Sequence, residues 1–306
     1  MFGKLYATRS LMYGIVPSLN TPFGASGALD LSSLSRLVEH TVSTGCGGML
    51  GLAVAGEHNT LNYTEKSNFI YTVVNQNQGR IPFICSVTST TFTETLNLTK
   101  AAAAARVDGI CVQLSPSLNL EEKLSFLKKL EKESPDIIMV QDLDWSSGGI
   151  SLDEVVFLYQ RIEKFKWLKI ETSQAGPKYS AVKNATAQGL KVCGGWAVTQ
   201  LIDAMARSVD AFIPTGLESI YVAIYRAYQG GEKQKARTLF ESILPILNFS
   251  NQHIDISIKF FKSLRVREGL FESDYCRSPS AVFDPVQSQE AKHAISRAME
   301  VLSDSS

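Results

Sequence analysis

The 306-residue sequence has no surplus of either charge: 30 basic and 30 acidic side chains cancel. Nucleic acid and anionic membrane surfaces, which call for a basic face, are therefore not expected as partners. It also lacks a run of about 18 apolar residues, the length that a membrane-spanning helix needs. The N-terminus holds Lys4 and Arg9 but no clean apolar stretch leading to a small-residue cleavage site. A cytoplasmic protein is the expectation, and N-x-S/T matches such as Asn97-Leu98-Thr99 are read as chance. Glycine (21) and proline (10) are too sparse for a collagen-like or low-complexity chain, and 44% apolar residues exclude disorder. The five cysteines (Cys46, Cys85, Cys111, Cys193, Cys276) are odd in number and form no CxxC pair. Most lie in apolar runs such as Phe83-Ile84-Cys85 and read as buried thiols in a reducing compartment. GxSxG, GxxxxGK(S/T) and clusters at metal-ligand spacing are missing too. Hydrolase, P-loop and metal-dependent chemistry lose support, and no cofactor or metal is expected.

What the sequence does hold is an alternation. Eight apolar runs begin near Gly14, Gly48, Ile81, Gly109, Ile137, Leu168, Leu190 and Ala211, and amphipathic segments separate them. In residues 31–44, Leu34, Leu37, Val38 and Val42 fall at helical spacing, and residues 93–106 form an Ala-rich helical stretch. Strand and helix in unbroken alternation imply a parallel sheet, because parallel neighbours need a crossover. Eight units over about 215 residues suit a (β/α)8 TIM barrel better than a doubly wound sheet, and no GxGxxG follows the first run. The fold class is thus α/β, a barrel over residues 13–230 preceded by a tail, residues 1–12. After Gly230-Gly231, helical patterns at 232–247, 254–267 and 287–302 make a C-terminal helical appendage over residues 231–306.

Barrel active sites sit at the C-terminal ends of the strands. The positions to inspect are therefore 20–23, 53–58, 86–91, 113–117, 141–145, 169–171, 194–196 and 214–216. Lys169, in Trp167-Leu168-Lys169-Ile170-Glu171, is the most informative residue. An apolar strand delivers its amine to the barrel end, where burial disfavours the ammonium and leaves a nucleophile able to form a Schiff base. The alternative is a surface lysine at a strand end. Glu57, in Ala55-Gly56-Glu57-His58, reads as a carboxylate that orients its loop through backbone N–H groups, or else as an acid or base. His58 reads as a base or as an ordinary loop residue. Gln141 can bond substrate hydroxyls but cannot move a proton, and Asp142 and Asp144 are candidates for capping the next turn. Thr88, Ser89 and Thr90 read as caps of the third helix or as carboxylate ligands.

Together these segments resemble the dihydrodipicolinate synthase and N-acetylneuraminate lyase superfamily of class I aldolases. The resemblance runs from about residue 14 to 302. It rests on Gly14-Ile15-Val16-Pro17 with Thr21-Pro22-Phe23, on Gly56-Glu57 followed by Leu61, on Ser115-Pro116, on Lys169, and on Gly230-Gly231-Glu232. It implies a homo-oligomeric barrel, a tetramer or dimer, whose Lys169 forms a Schiff base with pyruvate or another small-molecule 2-oxo acid. Thr21, Val54, Ala55, Glu57 and Ile213 are then candidate substrate-binding residues, with Lys169 and Gln141 as the catalytic pair.

Departures from the family pattern narrow the activity. Members that make dihydrodipicolinate carry two threonines where this chain has Val54 and Ala55, and a strand-five tyrosine where it has Gln141. A nearby arginine is replaced by Ser146 or Ser147, and the relay tyrosine after the strand-four proline by Ser117 or Leu118. The runs 138–142 and 169–172, and the tail leading to Arg277-Ser278-Pro279, are more similar to 2-keto-3-deoxy sugar acid dehydratases. The expected function is a Schiff-base lyase, dehydratase or aldolase, acting on a 2-keto-3-deoxy sugar acid. The alternatives are 4-hydroxy-tetrahydrodipicolinate synthase with an altered proton relay, and a non-catalytic barrel that binds a 2-oxo acid.

Overall fold

The structure is a computed structural model that describes residues 12–195 and 199–303. Most of the expected N-terminal tail, and Trp196 among the strand-end positions, lie outside the described residues. Eight parallel strands follow in chain order: β1 (Gly14–Ile15), β2 (Met49–Gly51), β3 (Phe83–Ser86), β4 (Gly109–Gln113), β5 (Ile137–Asp144), β6 (Phe165–Thr172), β7 (Lys191–Gly194) and β8 (Ala211–Phe212). Each overlaps one of the eight apolar runs. They pair in the order β1-β8-β7-β6-β5-β4-β3-β2, and a parallel bridge from Ser18 to Leu50 closes the ring into a TIM barrel.

The strands are unequal for a physical reason. β1 is two residues long because Pro17 has no N–H for the ladder, although its carbonyl still accepts from Leu50 N at 2.9 Å. β5 and β6, eight residues each, carry no such interruption and share the longest register of the sheet.

Helices α1 (Leu31–Ser43), α2 (Tyr63–Asn77), α3 (Phe92–Ala104), α4 (Leu120–Glu131), α5 (Leu152–Tyr159), α6 (Ala175–Ala185), α7 (Leu201–Ala206) and α8 (Glu218–Gln229) fill the crossovers. Local chemistry starts several of them. Asn62 with Glu65, Thr91 with Glu94, Asn119 with Glu122 and Ser151 with Glu154 form capping boxes, each satisfying donors that the first helical turn leaves open. The cap of α3 is thus Thr91, one residue beyond the expected Thr88 to Thr90, because only Thr91 stands three residues before a glutamate; Thr88 instead accepts from Gln113 N at 3.0 Å.

Two cores result. The outer one, between ring and helices, contains Val140, Leu168, Ile170 and Val192. The inner one fills the ring with Val16, Leu50, Cys111, Met139, Trp167, Cys193 and Ile213. Side chains alternate along a strand. Those two positions beyond Met139 and Trp167 therefore also point into the ring, and they are Gln141 and Lys169.

Three helices follow the barrel: α9 (Lys233–Ser250), α10 (Ile254–Arg267) and α11 (Pro285–Ser303). α9 runs past its expected end and keeps Pro245 inside it, at the cost of one helical hydrogen bond. α10 is tied to α8 by a buried ion pair. Arg265 grips Glu218 with both guanidinium ends and also donates to Glu268 at 2.9 Å. Burial alone would raise the Glu218 carboxyl, but the Arg265 guanidinium and His40 outweigh it and hold it well below the usual carboxylate range. Arg265→Leu would strand that carboxylate in the core. The expected loss of stability is about 3–5 kcal/mol, read from urea unfolding followed by circular dichroism; a loss below about 1 kcal/mol would show that the pair is not what joins the appendage to the barrel.

Candidate active site

At the C-terminal end of the ring lies a narrow cavity of about 70 Å³. Its floor is the inner core and its centre is Lys169, only 5% exposed. The register of β5 against β6 sets Gln141 beside Lys169 and Leu143 beside Glu171. Period two along β6 turns Glu171 to the same face as Lys169. The Lys169 ammonium meets Glu171 Oε2 at 2.8 Å, and Gln141 Nε2 donates to the same oxygen at 2.6 Å. The other oxygen, Oε1, is directed at Gly195, where a Cβ would come within 2.1 Å of it and 3.2 Å of Lys169 Cε. Only glycine leaves room at that position for the carboxylate.

This arrangement corrects the expectation that burial leaves Lys169 uncharged. Desolvation does pull the amine down, but the Glu171 carboxylate opposes it and prevails, so Lys169 sits above the ordinary lysine value. The thiols beneath are inert. Burial pushes Cys111 up to about 12 and raises Cys193 well above its ordinary value.

Val54, Ala55 and Ile213 border the cavity with Lys169 and Gln141, so five of the seven candidate residues are brought together. Thr21 and Glu57 stand behind the wall. The Thr21 hydroxyl donates to Gly56 O at 2.6 Å, and its neighbour Asn20 donates to Ala55 O at 3.2 Å, so the β1 loop holds the β2 loop in place. Glu57, with the left-handed φ of 53°, is 1% exposed. Its Oε1 accepts from Arg277 N at 2.8 Å and Ser278 N at 2.9 Å, and its Oε2 pairs with Lys262. That is the loop-orienting role, directed at the C-terminal segment.

His58 borders a different cavity, together with Lys66 and Glu94. Burial, and then Lys66, lower it to about 4, so it is neutral at pH 7, and it does not border the Lys169 cavity. Asp144 caps the turn after β5 by accepting from Ser146 N and Ser147 N, at 2.9 and 3.0 Å. Asp142 accepts from Ile150 N at 2.9 Å and pairs with Lys178, which pins the same loop.

Several wall residues had no assigned role in the sequence. Glu171 was legible in principle, since a residue two beyond a strand lysine shares its face. Ser18, at the end of β1, and Tyr221, on α8, also border the cavity, as do Leu247, Asn251 and Phe261 from the C-terminal helices. No local pattern marks those helix residues, because they reach the site only when the appendage folds over the barrel mouth.

Known proteins with this architecture are numerous. The chain is 25% identical over 283 residues to L-2-keto-3-deoxyarabonate dehydratase of Azospirillum brasilense, covering 89% of this chain and 90% of that one. It is 24% identical over 240 residues to 4-hydroxy-tetrahydrodipicolinate synthase of Syntrophus aciditrophicus, with 77% and 81% covered. Among solved structures, dihydrodipicolinate synthase from Rhodopseudomonas palustris superposes with a TM-score of 0.86 at 20% identity, over 94% of this chain and all of that one, which shows a shared fold. Residues 11–298 match the Dihydrodipicolinate synthetase family, and the chain belongs to that family of lyases.

Proposed function

We propose that this lyase forms a Schiff base between Lys169 and a 2-oxo acid, and that its substrate is a 2-keto-3-deoxy sugar acid, which it dehydrates. The observation that carries the reading is the triad of Lys169, Glu171 and Gln141, in which one carboxylate oxygen serves both partners.

Each proton has a carrier in that triad. Glu171 accepts the Lys169 ammonium proton, freeing the Nζ lone pair to attack C2 of the oxo acid. It returns the proton to the carbinolamine hydroxyl, which leaves as water and produces a cationic iminium. That cation acidifies the C3–H bond. Glu171 then takes the C3 proton to give the enamine, whose electrons expel the C4 hydroxyl; the carboxyl proton goes with it, and a second water leaves. Hydrolysis of the unsaturated iminium regenerates the lysine, so the net change is loss of one water from the substrate. Gln141 moves no proton; it keeps Glu171 aimed at Nζ and has its amide oxygen to offer a substrate hydroxyl. The backbone at Val54 and Ala55 receives the carboxylate end.

Among the described residues bordering the cavity, Lys169 is the sole basic side chain. A substrate with an uncharged distal chain suits such a wall better than aspartate semialdehyde, whose carboxylate would be left without a cation. The resemblance to a dehydratase over 90% of that relative's length supports the same choice. Borohydride reduction in the presence of pyruvate tests the Schiff base. A covalent adduct is expected on the peptide carrying Lys169; its absence with pyruvate and with longer 2-oxo acids alike would remove the mechanism. Water loss from a 2-keto-3-deoxypentonate, without turnover of pyruvate plus aspartate semialdehyde, would then identify the dehydratase.

A further inference from the structure

We propose that Ser18 is the side chain that anchors the substrate's carboxylate, through a hydrogen bond donated by its hydroxyl. The inference deepens the reading of a 2-oxo acid at Lys169 and rests on it for the identity of the ligand.

Ser18 follows β1 and borders the cavity, yet it is only 4% exposed. Its backbone is satisfied: the N–H donates to Pro214 O at 2.8 Å, and the residue bridges to Leu50. Its hydroxyl is not, because Oγ is buried without a hydrogen-bond partner. An unpaired buried hydroxyl is destabilising and rare in folded proteins, which marks a group whose partner arrives from outside. A hydroxyl in that state has a proton to give and needs an acceptor. The apolar Ala53, Val54, Ala55 and Ile213 border the same cavity, and none of its polar side chains makes a hydrogen bond to Oγ.

Position specifies which acceptor. β1 lies between β8 and β2 in the ring, and β6 is separated from it by β8 and β7, so Ser18 faces Lys169 from across the cavity. In a 2-oxo acid the carboxylate is attached to C2, the carbon that Nζ attacks. The β2 loop, whose backbone receives the carboxylate in the proposed function, follows a strand joined to the end of β1 by the Ser18–Leu50 bridge, so a carboxylate seated there lies on the Ser18 side of the cavity. Val54 and Ala55 carry no hydroxyl, so the side-chain donor of this corner comes from a different strand.

Ser18→Ala tests this. The concentration of pyruvate that half-saturates borohydride trapping should rise roughly ten- to hundredfold, the effect of losing one hydrogen bond to a charged group. The maximum amount of adduct should stay the same. Trapping of acetone, which has the carbonyl without the carboxylate, should be unchanged. The unliganded variant should melt at or above the wild-type temperature, since an unpaired hydroxyl has been removed. Wild-type half-saturation by pyruvate in the variant, or equal weakening for acetone and pyruvate, would overturn the proposal. If wild-type protein trapped no ketone at all, the Schiff-base reading would fall by itself. Calorimetry with L-lactate, which keeps the carboxylate and lacks the carbonyl, would then decide the role of Ser18: weaker binding to Ser18→Ala upholds it, and equal binding overturns it.

Discussion

Lys169→Ala is expected to abolish borohydride trapping and to lower turnover of the 2-keto-3-deoxy acid by ~10⁵-fold or more, the scale of loss when a covalent nucleophile is removed. No other amine can substitute, because Lys169 is the sole basic side chain among the described residues that border the cavity. The alanine variant also leaves Glu171 buried beside an empty space, which will reduce stability. Lys169→Arg controls for that effect. Arginine keeps a cation next to Glu171 but stays protonated at any working pH and cannot attack a carbonyl. It should fold, as judged by circular dichroism and thermal melting, and be as inactive as the alanine variant. Retention of even a hundredth of wild-type turnover in either variant would exclude the Schiff-base mechanism.

Glu171→Gln should reduce kcat by ~10²–10⁴-fold, the range in which positioned acid-base groups contribute. The pH profile gives the more specific readout. In the wild-type protein burial lowers the Lys169 amine, and Glu171 more than compensates, so the ammonium persists above its ordinary pKa. Because Glu171 takes that proton inside the site and returns it to the carbinolamine, the ammonium–carboxylate pair is the reactive form, and kcat/KM should stay level up to that value and fall above it. With glutamine in place of the carboxylate the largest opposing charge is gone, so burial lowers Lys169, and the amine must lose its proton to solvent before it can attack. A rising limb of kcat/KM, absent from the wild type, should therefore appear even as kcat falls. A wild-type-shaped profile in the variant would mean that Glu171 is not the acceptor of the Lys169 proton. Gln141→Leu, by contrast, removes a neutral donor to Glu171 and should cost less, with no rising limb.

How much of this was legible beforehand differs from residue to residue. The eight strands could be placed because apolar runs and helical periodicity are properties of neighbouring residues, and a parallel sheet admits few other topologies. Lys169 could be singled out because a cation within an apolar strand is costly unless it is used or paired. Its partner Glu171 is two residues away, on the same strand face. The end of α9 could not be placed correctly, at 247 instead of Ser250, since the packing of α9 against α8 and α11 carries the helix on past Pro245. The partners of Thr21 and Glu57 could not be named, although the loop-orienting role of Glu57 was among the readings. Their partners are Gly56 for the first and, for the second, Lys262, Arg277 and Ser278, more than 200 residues on in the chain.

The sequence by itself determined the barrel, the appended helices, the family and the lysine at the end of β6, because each is written in short-range patterns of polarity and residue type. Tertiary structure alone decided that Lys169 is held as an ammonium, that Glu57 holds the C-terminal segment, that α9 and α10 wall the cavity, and that Ser18 turns an unpaired hydroxyl toward it. Those outcomes depend on burial and on charges brought together from distant segments, and electrostatic and desolvation energies exist only once the chain has folded.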